Sequence, residues 1–279
     1  MDSPAEILRR HRLRPKKSWG QNFLADPDVL RRIAESLGLR RGETVVELGP
    51  GLGHLTEALL ATGARVIAVE RDRDMIAVLT ESVRPNLMVI AGNAATVNFR
   101  EAAGESPVAV VGNLPYHLTS PILFNLLEQR MEVTRAVMTV QKEVADRLSA
   151  SPGNRDYGLL SVLLGLYFEV EMLFSLGSNL FFPPPHVESA VIRLTTLPTP
   201  RAPIPSDSHF RKVVKAAFAQ RRKTVLNSLQ SASDLGNATT LSEGLSVAGV
   251  DPKRRAETMT VEEFAALSSA LSLLADRPK

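Results

Sequence analysis

From about residue 28 to residue 150, short apolar runs alternate with longer segments that have the spacing of amphipathic helices. Five of these runs are typical of strands, and they span Thr44 to Gly49, Arg65 to Glu70, Leu87 to Gly92, Val108 to Asn113 and Arg135 to Gln141. Strands that are apolar along their whole length are covered on both faces, and helical connections between them favour parallel neighbours. The alternation therefore predicts an α/β fold with a mostly parallel sheet, to which Ser189 to Thr195 adds a final strand.

The composition changes near residue 200. The segment from Leu197 to Ser208 is rich in proline and polar residues, which is typical of a linker, and a mostly helical tail follows it. A chain of 279 residues is long enough for a large domain and a small one. We therefore expect two domains, residues 1–200 and residues 201–279.

The chain has no cysteine, which excludes disulfides and cysteine-ligated metals, and we expect no metal site. Its longest apolar stretch, Gly158 to Phe168, is too short to span a bilayer. The N-terminal segment is basic but lacks the apolar core of a secretory signal. We therefore expect a soluble, cytoplasmic monomer without a membrane partner.

Two basic clusters stand out although the net charge is only +3. One lies in the first 17 residues, and the other comprises Arg211, Lys212, Lys215, Arg221, Arg222 and Lys223. Apolar residues at helical spacing between Val213 and Leu229 predict a helix that carries the second cluster on roughly one side. Lysine and arginine on such a surface favour contact with nucleic acid phosphates, whereas the alternative is two solvated faces.

A glycine-rich turn follows the first strand, and its spacing is G-x-G-x-G at Gly49, Gly51 and Gly53. A dinucleotide-binding loop would instead read G-x-G-x-x-G, so the spacing argues against an NAD-dependent oxidoreductase. Glycines at such a turn allow a ligand to approach the backbone, or they only make the turn. Glu70 ends the second strand, where an acid can accept hydrogen bonds from the ribose hydroxyls of a cofactor.

The fourth strand runs into Asn113, Leu114, Pro115 and Tyr116 at the edge of the sheet where ligands bind. The Asn113 side chain and the Leu114 carbonyl are two acceptors that can hold the hydrogens of an aromatic amino group. Pro115 has no N–H and a restricted φ, which helps to present that carbonyl. Tyr116 offers a flat face on which an extruded base can stack. We expect His54 and His117 to be surface histidines without a role, because a site that holds an amino group between two acceptors needs no imidazole base.

Five blocks together resemble the rRNA adenine dimethyltransferases of the KsgA type: SWGQNFLADP, VVELGPGLGHLTEAL, VGNLPYHLTSPIL, FFPPPHVESAVIRL and AFAQRRKTVLNSL. The resemblance extends from about residue 10 to residue 230. It implies a Rossmann-like class I methyltransferase with a seven-stranded, mostly parallel sheet and a small C-terminal helical domain. The implied cofactor is S-adenosylmethionine. The residues implied to bind it are Gln21, Asn22, Leu24, Glu47, Gly49, Gly51, Glu70, Asn93 and Asn113.

The resemblance also implies dimethylation of two adjacent adenosines near the 3′ end of small-subunit rRNA in an assembling 30S particle. Catalytic roles are implied for Asn113, Leu114, Pro115, Tyr116 and Phe181, and Phe181 would stack on the base. Arg211, Lys215, Arg221, Arg222 and Lys223 would contact RNA. Two features depart from the family pattern: Asn93 replaces the usual aspartate, and Ser178, Asn179 and Leu180 precede Phe181 where the family more often has Pro-Pro-Gly-Ala.

Two other kinds of protein share parts of this pattern. An antibiotic-resistance methyltransferase that acts on large-subunit rRNA would keep the pocket and change the basic surface. A ribosome assembly factor without catalytic activity would keep the charge and lose the pocket. The intact Asn113–Tyr116 block favours an enzyme, and the basic block followed by a helical tail favours the small subunit.

Overall fold

The computed structural model describes residues 2–232 and 234–275, apart from the side chain of Lys17. The chain packs into two compact units. The first contains the chain up to Ala145 together with Glu171–Thr196, and the second contains Asp146–Val170 together with the chain from Leu197 onward.

The described residues contain nine strands. They are β1 (Phe23–Leu24), β2 (Thr44–Leu48), β3 (Arg65–Glu70), β4 (Leu87–Ala91), β5 (Val108–Asn113), β6 (Val133–Gln141), β7 (Phe168–Leu176), β8 (Phe181–Phe182) and β9 (Ser189–Thr196). The six strands expected from the sequence are present to within two residues at each end. The apolar runs did not indicate β7, because Glu169 and Glu171 interrupt its apolar residues.

Seven strands of the described chain form one sheet, in the order β4-β3-β2-β5-β6-β9-β7. The strands from β4 across to β6 are paired in parallel, and β9 is antiparallel to β6. The prediction of a mostly parallel seven-stranded sheet is thus confirmed. β1 and β8 form a separate antiparallel pair in which Leu24 lies opposite Phe181 and Phe23 lies opposite Phe182.

Helices alternate with these strands and follow them along the chain. Within the described residues they are α1 (Pro4–Arg10), α2 (Pro27–Ser36), α3 (His54–Ala61), α4 (Arg73–Thr80), α5 (Phe99–Ala103), α6 (Thr119–Glu128), α7 (Lys142–Leu148), α8 (Leu159–Gly165), α9 (Asp207–Ala217), α10 (Val225–Leu229), α11 (Ala238–Val247) and α12 (Val261–Ala275). No helix in residues 2–232 or 234–275 is both long enough and apolar enough to cross a membrane.

The core of the first unit explains why the central strands β2, β3 and β5 are mostly apolar. All five residues of β2 are buried, and Val45 packs in one cluster with Leu30 and Ile33 of α2 and with Leu55 and Leu59 of α3. These three strands are buried along almost their whole length, so they show no polar alternation. Polar residues are therefore found mainly where the strands end, so groups that can bind or react with a ligand lie at one edge of the sheet.

The residues of the second unit differ from those of the expected second domain, residues 201–279. The expected division at residue 200 lies close to the change of unit after Thr196, but Asp146–Val170 also belongs to the second unit. Within that unit, Leu197 N donates to Tyr167 O at 2.8 Å and Arg201 N donates to Leu166 O at 2.8 Å. The supposed linker is therefore hydrogen-bonded to the end of α8, a long-range contact that composition cannot reveal.

The expectation of one basic helix through residue 223 is wrong. α9 ends at Ala217, and Arg221, Arg222 and Lys223 lie in the loop before α10. The Ser228 hydroxyl donates to Ala216 O at 2.8 Å and accepts from Gln220 N at 3.1 Å, so these backbone groups leave the helical pattern. The last turn of α9 therefore contacts a side chain of a later helix, and α9 ends at Ala217 although the apolar spacing continues.

Candidate active site

One cavity lies at the carboxyl edge of the parallel sheet. Glu70, Glu47 and Asn113 line it from the ends of β3, β2 and β5, which are neighbours in the sheet. The other residues predicted from the sequence that line this cavity are Gln21, Asn22, Leu24, Gly49, Gly51, Leu114, Pro115 and Tyr116. Parallel strands bring the ends of distant segments to one edge, and the structure unites the predicted residues there.

A second cavity contains Asn93 and shares part of its wall with the first. Trp19, Gly49, Glu70 and Pro115 line both cavities. Asn93 Oδ1 accepts a hydrogen bond from Ala95 N at 3.0 Å. Asn93 therefore stabilises a turn and lines a cavity whose wall also includes Glu70. Its contact with the adenine of a cofactor stays a prediction.

The glycine-rich loop leaves space on the cavity side. A Cβ atom at Gly49 would meet no heavy atom within 4 Å, which shows that this position faces open space. At Gly51, φ is +56° and a Cβ atom would lie 3.0 Å from the Phe23 ring. A side chain at Gly51 would be strained and crowded, so glycine is required there for both reasons.

Glu70 is oriented by three backbone donors. Its Oε1 atom accepts from Arg71 N at 2.7 Å and Asp72 N at 2.8 Å, and its Oε2 atom accepts from Gly51 N at 3.0 Å. Burial raises the pKa of Glu70, and these three N–H groups oppose that shift. The hydrogen bond from Gly51 also fixes the glycine-rich loop against the neighbouring strand.

Glu47 is a buried carboxyl group with one side-chain partner. Its side chain is 1% exposed, and Thr56 Oγ1 donates to Glu47 Oε2 at 2.6 Å. Burial raises the pKa of Glu47 to about 8; the hydrogen bond from Thr56 opposes this shift, and the negative charge of Glu70 adds to it. A cationic group entering the cavity would favour the ionised form.

The Asn113–Tyr116 block leaves β5 and turns into the cavity wall. Asn113 Nδ2 donates to Asn22 O at 2.9 Å, so Oδ1 is the side-chain atom that can accept from a ligand. Leu114 N donates to Thr139 O at 3.2 Å, which ties the block to β6. Tyr116 begins a short 3₁₀ turn, and its ring is partly exposed on the cavity wall.

The segment before β1 closes the cavity on its other side. Gln21 Nε2 donates to Asp72 Oδ2 at 2.8 Å, and Gln21 Oε1 accepts from Lys16 N at 2.9 Å. Lys16 Nζ lies 2.5 Å from Asp72 Oδ1 and 2.7 Å from Asp74 Oδ2. Asp72 thus connects this segment to the strand end that bears Glu70.

A family model described as ribosomal RNA adenine dimethylase matches residues 12–272 of this sequence. The match includes every cavity residue described above. The chain belongs to the ribosomal RNA adenine dimethylase family.

Curated members with high similarity have the same name. Ribosomal RNA small subunit methyltransferase A of Myxococcus xanthus (strain DK1622) is 61% identical over 274 residues, which is 98% of this chain and 97% of that protein. The protein of that name from Enterococcus faecalis (strain ATCC 700802 / V583) is 40% identical over 275 residues, 95% of this chain and 93% of its own.

Two solved structures have the same fold as this dimethylase-family chain. The 23S rRNA methyltransferase ErmE has a TM-score of 0.68 and 30% identity, and the match covers 90% of this chain and all of that one. A dimethyladenosine transferase from Plasmodium falciparum has a TM-score of 0.70 and 24% identity, with 88% and 95% covered. The fold is therefore that of the class I methyltransferases.

The cavity residues of this family member match the chemistry of S-adenosylmethionine. A ribose diol requires acceptors, which Glu70 provides, and a methionine ammonium group requires an anion, which Glu47 provides in its ionised form. The absence of a side chain at Gly49 leaves open space in which a ligand can approach the backbone. The residues present therefore fit this cofactor.

Phe181 does not line either cavity. Its side chain is 5% exposed and packs in the cluster that contains Leu24 and Leu30, both of which form part of the cavity wall. Phe182, in contrast, is 40% exposed. The structure therefore places Phe181 behind the wall, and of these two rings Phe182 is the one that reaches solvent.

The predicted RNA-binding residues lie in the second unit. Lys215, Arg221, Arg222 and Lys223 are exposed, and Arg211 is partly exposed. Arg221 donates to the backbone oxygen of Arg155, which connects its loop to a second exposed loop. In the basic cluster of the first 17 residues, two cations are paired with acids: Arg10 with Asp2, and Lys16 with Asp72.

Sequence reasoning missed several residues at the site. Trp19 lines both cavities, with Lys16 Nζ and the Arg71 guanidinium carbon each 5.1 Å from its ring centroid. His54 is not a surface residue: it is 4% exposed, lines the first cavity, and its Nε2 lies 2.9 Å from Asp2 O. Asp72 could have been found from the sequence, because it is a polar residue that follows the end of β3 by two positions.

Proposed function

We propose that this protein transfers methyl groups from S-adenosylmethionine to the exocyclic 6-amino groups of two adjacent adenosines near the 3′ end of small-subunit (16S) rRNA. The product is N(6),N(6)-dimethyladenosine, formed in the cytoplasm during ribosome biogenesis. The observation that carries the proposal is that Asn113–Tyr116, Glu47 and Glu70 line one cavity. The name of the relative that is 61% identical supports the choice of substrate.

The Asn113–Tyr116 block holds the acceptor amino group. S-adenosylmethionine supplies an electrophilic methyl group on its sulfonium sulfur when it is bound. In the first transfer, Asn113 Oδ1 and the Leu114 carbonyl accept the two amino hydrogens, which favours a pyramidal nitrogen whose lone pair is free to attack. In the second transfer the monomethylated nitrogen keeps one hydrogen, and one of these two acceptors holds it. The chain needs no strong base, because an alkylated aromatic amine readily loses its extra proton, and positioning supplies much of the rate.

Tyr116 supports the extruded adenine by stacking. A base within a helix cannot reach the cavity, so it enters unpaired and rests on an aromatic face. The stacking role of Phe181 stays a prediction, because its side chain packs behind Leu24. A rotation that exposes the Phe181 ring is required before it can contact a base.

The remaining cavity residues hold the cofactor. Glu70 accepts from the ribose hydroxyls, Glu47 pairs with the methionine ammonium group, and Asn93 contacts the adenine. Gln21, Asn22 and Leu24 close over it from the segment before β1 and from β1. Two hydrogen bonds support this role: Gln21 donates to Asp72, and Asn22 accepts from Asn113. Both partners lie at or just after the strand ends.

The basic residues of the second unit contact rRNA phosphates. Their side chains supply affinity that does not depend on sequence, and the folded subunit presents the unpaired adenosines. The residues in this role are Arg211, Lys215, Arg221, Arg222 and Lys223. We propose that the protein acts as a monomer on an assembling 30S particle.

Mass spectrometry of nucleosides tests the proposal directly. The protein and S-adenosylmethionine are incubated with small ribosomal subunits that lack the modification, and the rRNA is digested. We expect new dimethyladenosine from small-subunit rRNA. Product from large-subunit rRNA alone would support an ErmE-like specificity instead, and subunit binding without product would support an assembly factor.

Replacement of Asn113 tests the catalytic assignment. Asn113→Ala removes the acceptor Oδ1, so we expect loss of methyl transfer by two orders of magnitude or more, on the order expected for a lost transition-state hydrogen bond. Binding to the small subunit should be retained, because the RNA-binding residues are unchanged. Normal turnover by this variant would disprove the role of Asn113.

A further inference from the structure

The Tyr116 hydroxyl is hydrogen-bonded to a residue that lies outside both the Asn113–Tyr116 block and the segment before β1. Tyr116 Oη lies 2.7 Å from Ser189 Oγ, although 73 positions separate the two residues in the chain. Both residues belong to the first unit. This contact connects the cavity wall to the antiparallel strand of the sheet.

Ser189 is held rigidly. It is the first residue of β9, its side chain is fully buried, and it pairs with Gln141 of β6. Lys142 N donates to Glu188 O at 3.0 Å and extends this pairing by one step. The Ser189 hydroxyl therefore lies at a position determined by the sheet.

Tyr116 is less constrained by its own backbone. It begins a single 3₁₀ turn after Pro115, and its ring is half-buried on the cavity wall. Burial raises the pKa of the Tyr116 phenol, so the hydroxyl stays neutral and can donate or accept at physiological pH. The hydrogen bond to Ser189 holds the far end of the ring, while the turn holds the near end.

We propose that Ser189 is a positioning residue that holds the plane of the Tyr116 ring for stacking with the target adenine. The inference rests on the proposed function, and it adds a residue on β9 to the determinants of base binding. Stacking requires a defined ring plane, and a ring held at both ends has lost its alternative rotamers before the base arrives. Ser189 does not line the cofactor cavity, so the cofactor affinity should not depend on its hydroxyl.

Removal of the hydrogen bond from either end tests the inference. We expect Ser189→Ala and Tyr116→Phe each to lower kcat/KM for small ribosomal subunits by roughly 5- to 10-fold, as for the loss of one neutral hydrogen bond. The dissociation constant of S-adenosylhomocysteine should stay unchanged. The double variant should be no worse than Tyr116→Phe, because only one bond is lost.

Ser161→Ala is the matched control. Ser161 is a buried serine of the second unit whose hydroxyl donates to Arg147 O at 2.6 Å and accepts from Gly158 N at 3.0 Å. The substitution therefore removes at least as much buried hydrogen bonding as Ser189→Ala, at a residue that does not line the candidate active-site cavity. We expect its turnover to equal that of the unmodified protein at temperatures below unfolding.

Three distinguishable results would count against the positioning role of Ser189 or against the proposed function. Full activity of Ser189→Ala would overturn the positioning role while leaving the proposed function intact. A further loss caused by Ser189→Ala in the Tyr116→Phe background would overturn it in favour of a packing role. Absence of dimethyladenosine with the unmodified protein would overturn the proposed function, and the inference with it.

Discussion

At the scale of single residues, the buried carboxyl group of Glu47 makes the site sensitive to pH. Its pKa is raised to about 8, so the carboxyl group is mostly protonated at neutral pH when no ligand is present. Under the proposed function a methionine ammonium group pairs with the ionised form of Glu47, so we expect cofactor binding to release a proton in this pH range. The cost of ionisation then becomes part of the measured affinity.

We predict that the affinity for S-adenosylhomocysteine rises with pH up to about 8 and then levels off. Below that pH, calorimetry in buffers of different ionisation enthalpy should detect proton release on binding. Glu47→Gln should abolish both the release and the pH dependence. A wild-type affinity that is flat between pH 6 and pH 8 would show that the ammonium group does not pair with Glu47.

The same shift has a defined effect on stability. A carboxyl group whose folded pKa lies above its unfolded value of 4.5 favours the protonated folded state. The free energy of unfolding of the ligand-free protein should therefore decrease as pH rises from 4.5 towards about 8. Urea titrations should show a smaller decrease for Glu47→Gln.

The neighbouring phenylalanines should respond differently to truncation. Phe181→Ala empties a site in the core cluster, so we expect a loss of about 3–5 kcal/mol in the free energy of unfolding. Phe182→Ala removes a side chain that is 40% exposed, and the loss should be smaller than about 1 kcal/mol. Equal losses in urea denaturation would contradict the burial of Phe181.

At the scale of elements, the segment from Lys16 to Leu24 is a wall built by long-range contacts. Asp72 caps α4 by accepting from Asp74 N at 3.1 Å. Its carboxylate also accepts hydrogen bonds from the side chains of Lys16 and Gln21. One carboxylate therefore connects the start of α4 to the segment that faces the cofactor cavity. Loss of either partner should loosen this wall.

Trp19 provides a probe of this element, because it is the only tryptophan in the sequence. Lys16→Met breaks the pair with Asp72, so we expect about 10-fold weaker binding of S-adenosylhomocysteine and stronger quenching of Trp19 fluorescence by iodide. Arg14→Met removes one charge from an exposed position two residues before this segment and should change neither property. A similar effect of both variants would assign the change to net charge.

At the scale of the whole molecule, the exposed basic loop between α9 and α10 should dominate the dependence of RNA binding on salt. Replacement of Arg221, Arg222 and Lys223 by alanine removes up to three phosphate contacts. We expect weaker binding to small subunits and a slope of log K against log salt that is smaller by about 2. Arg40→Ala, at a side chain that is 90% exposed in the first unit, is the control for loss of surface charge.

The sheet and most of the cavity could be predicted from the sequence for a local reason. A strand buried on both faces is apolar from end to end, so the pattern defines the extent of β2, β3 and β5. Parallel pairing then brings Glu47, Glu70 and Asn113 to one edge, whatever their separation in the chain. Local pattern and one rule of topology were sufficient for these strand ends, whereas the family resemblance supplied the count of seven strands and the cavity residues Gln21, Asn22, Leu24 and Glu47.

Other features depended on partners that are distant in the chain. Composition could not assign Asp146–Val170 to the second unit, because that grouping depends on packing and on hydrogen bonds to the segment after Thr196. Periodicity could not show that α9 ends at Ala217, where its last turn accepts a hydrogen bond from the Ser228 hydroxyl of α10.

The amino-acid pattern is enough to show which residues can form the strands and which chemical groups meet at their ends, because burial and side-chain chemistry are local properties. Which of these groups are oriented and which are enclosed depends on the folded chain. It buried Phe181, paired Lys16 with Asp72 and held Tyr116 against Ser189. Each of these results depends on two segments meeting in space, and no pattern within one segment contains that information.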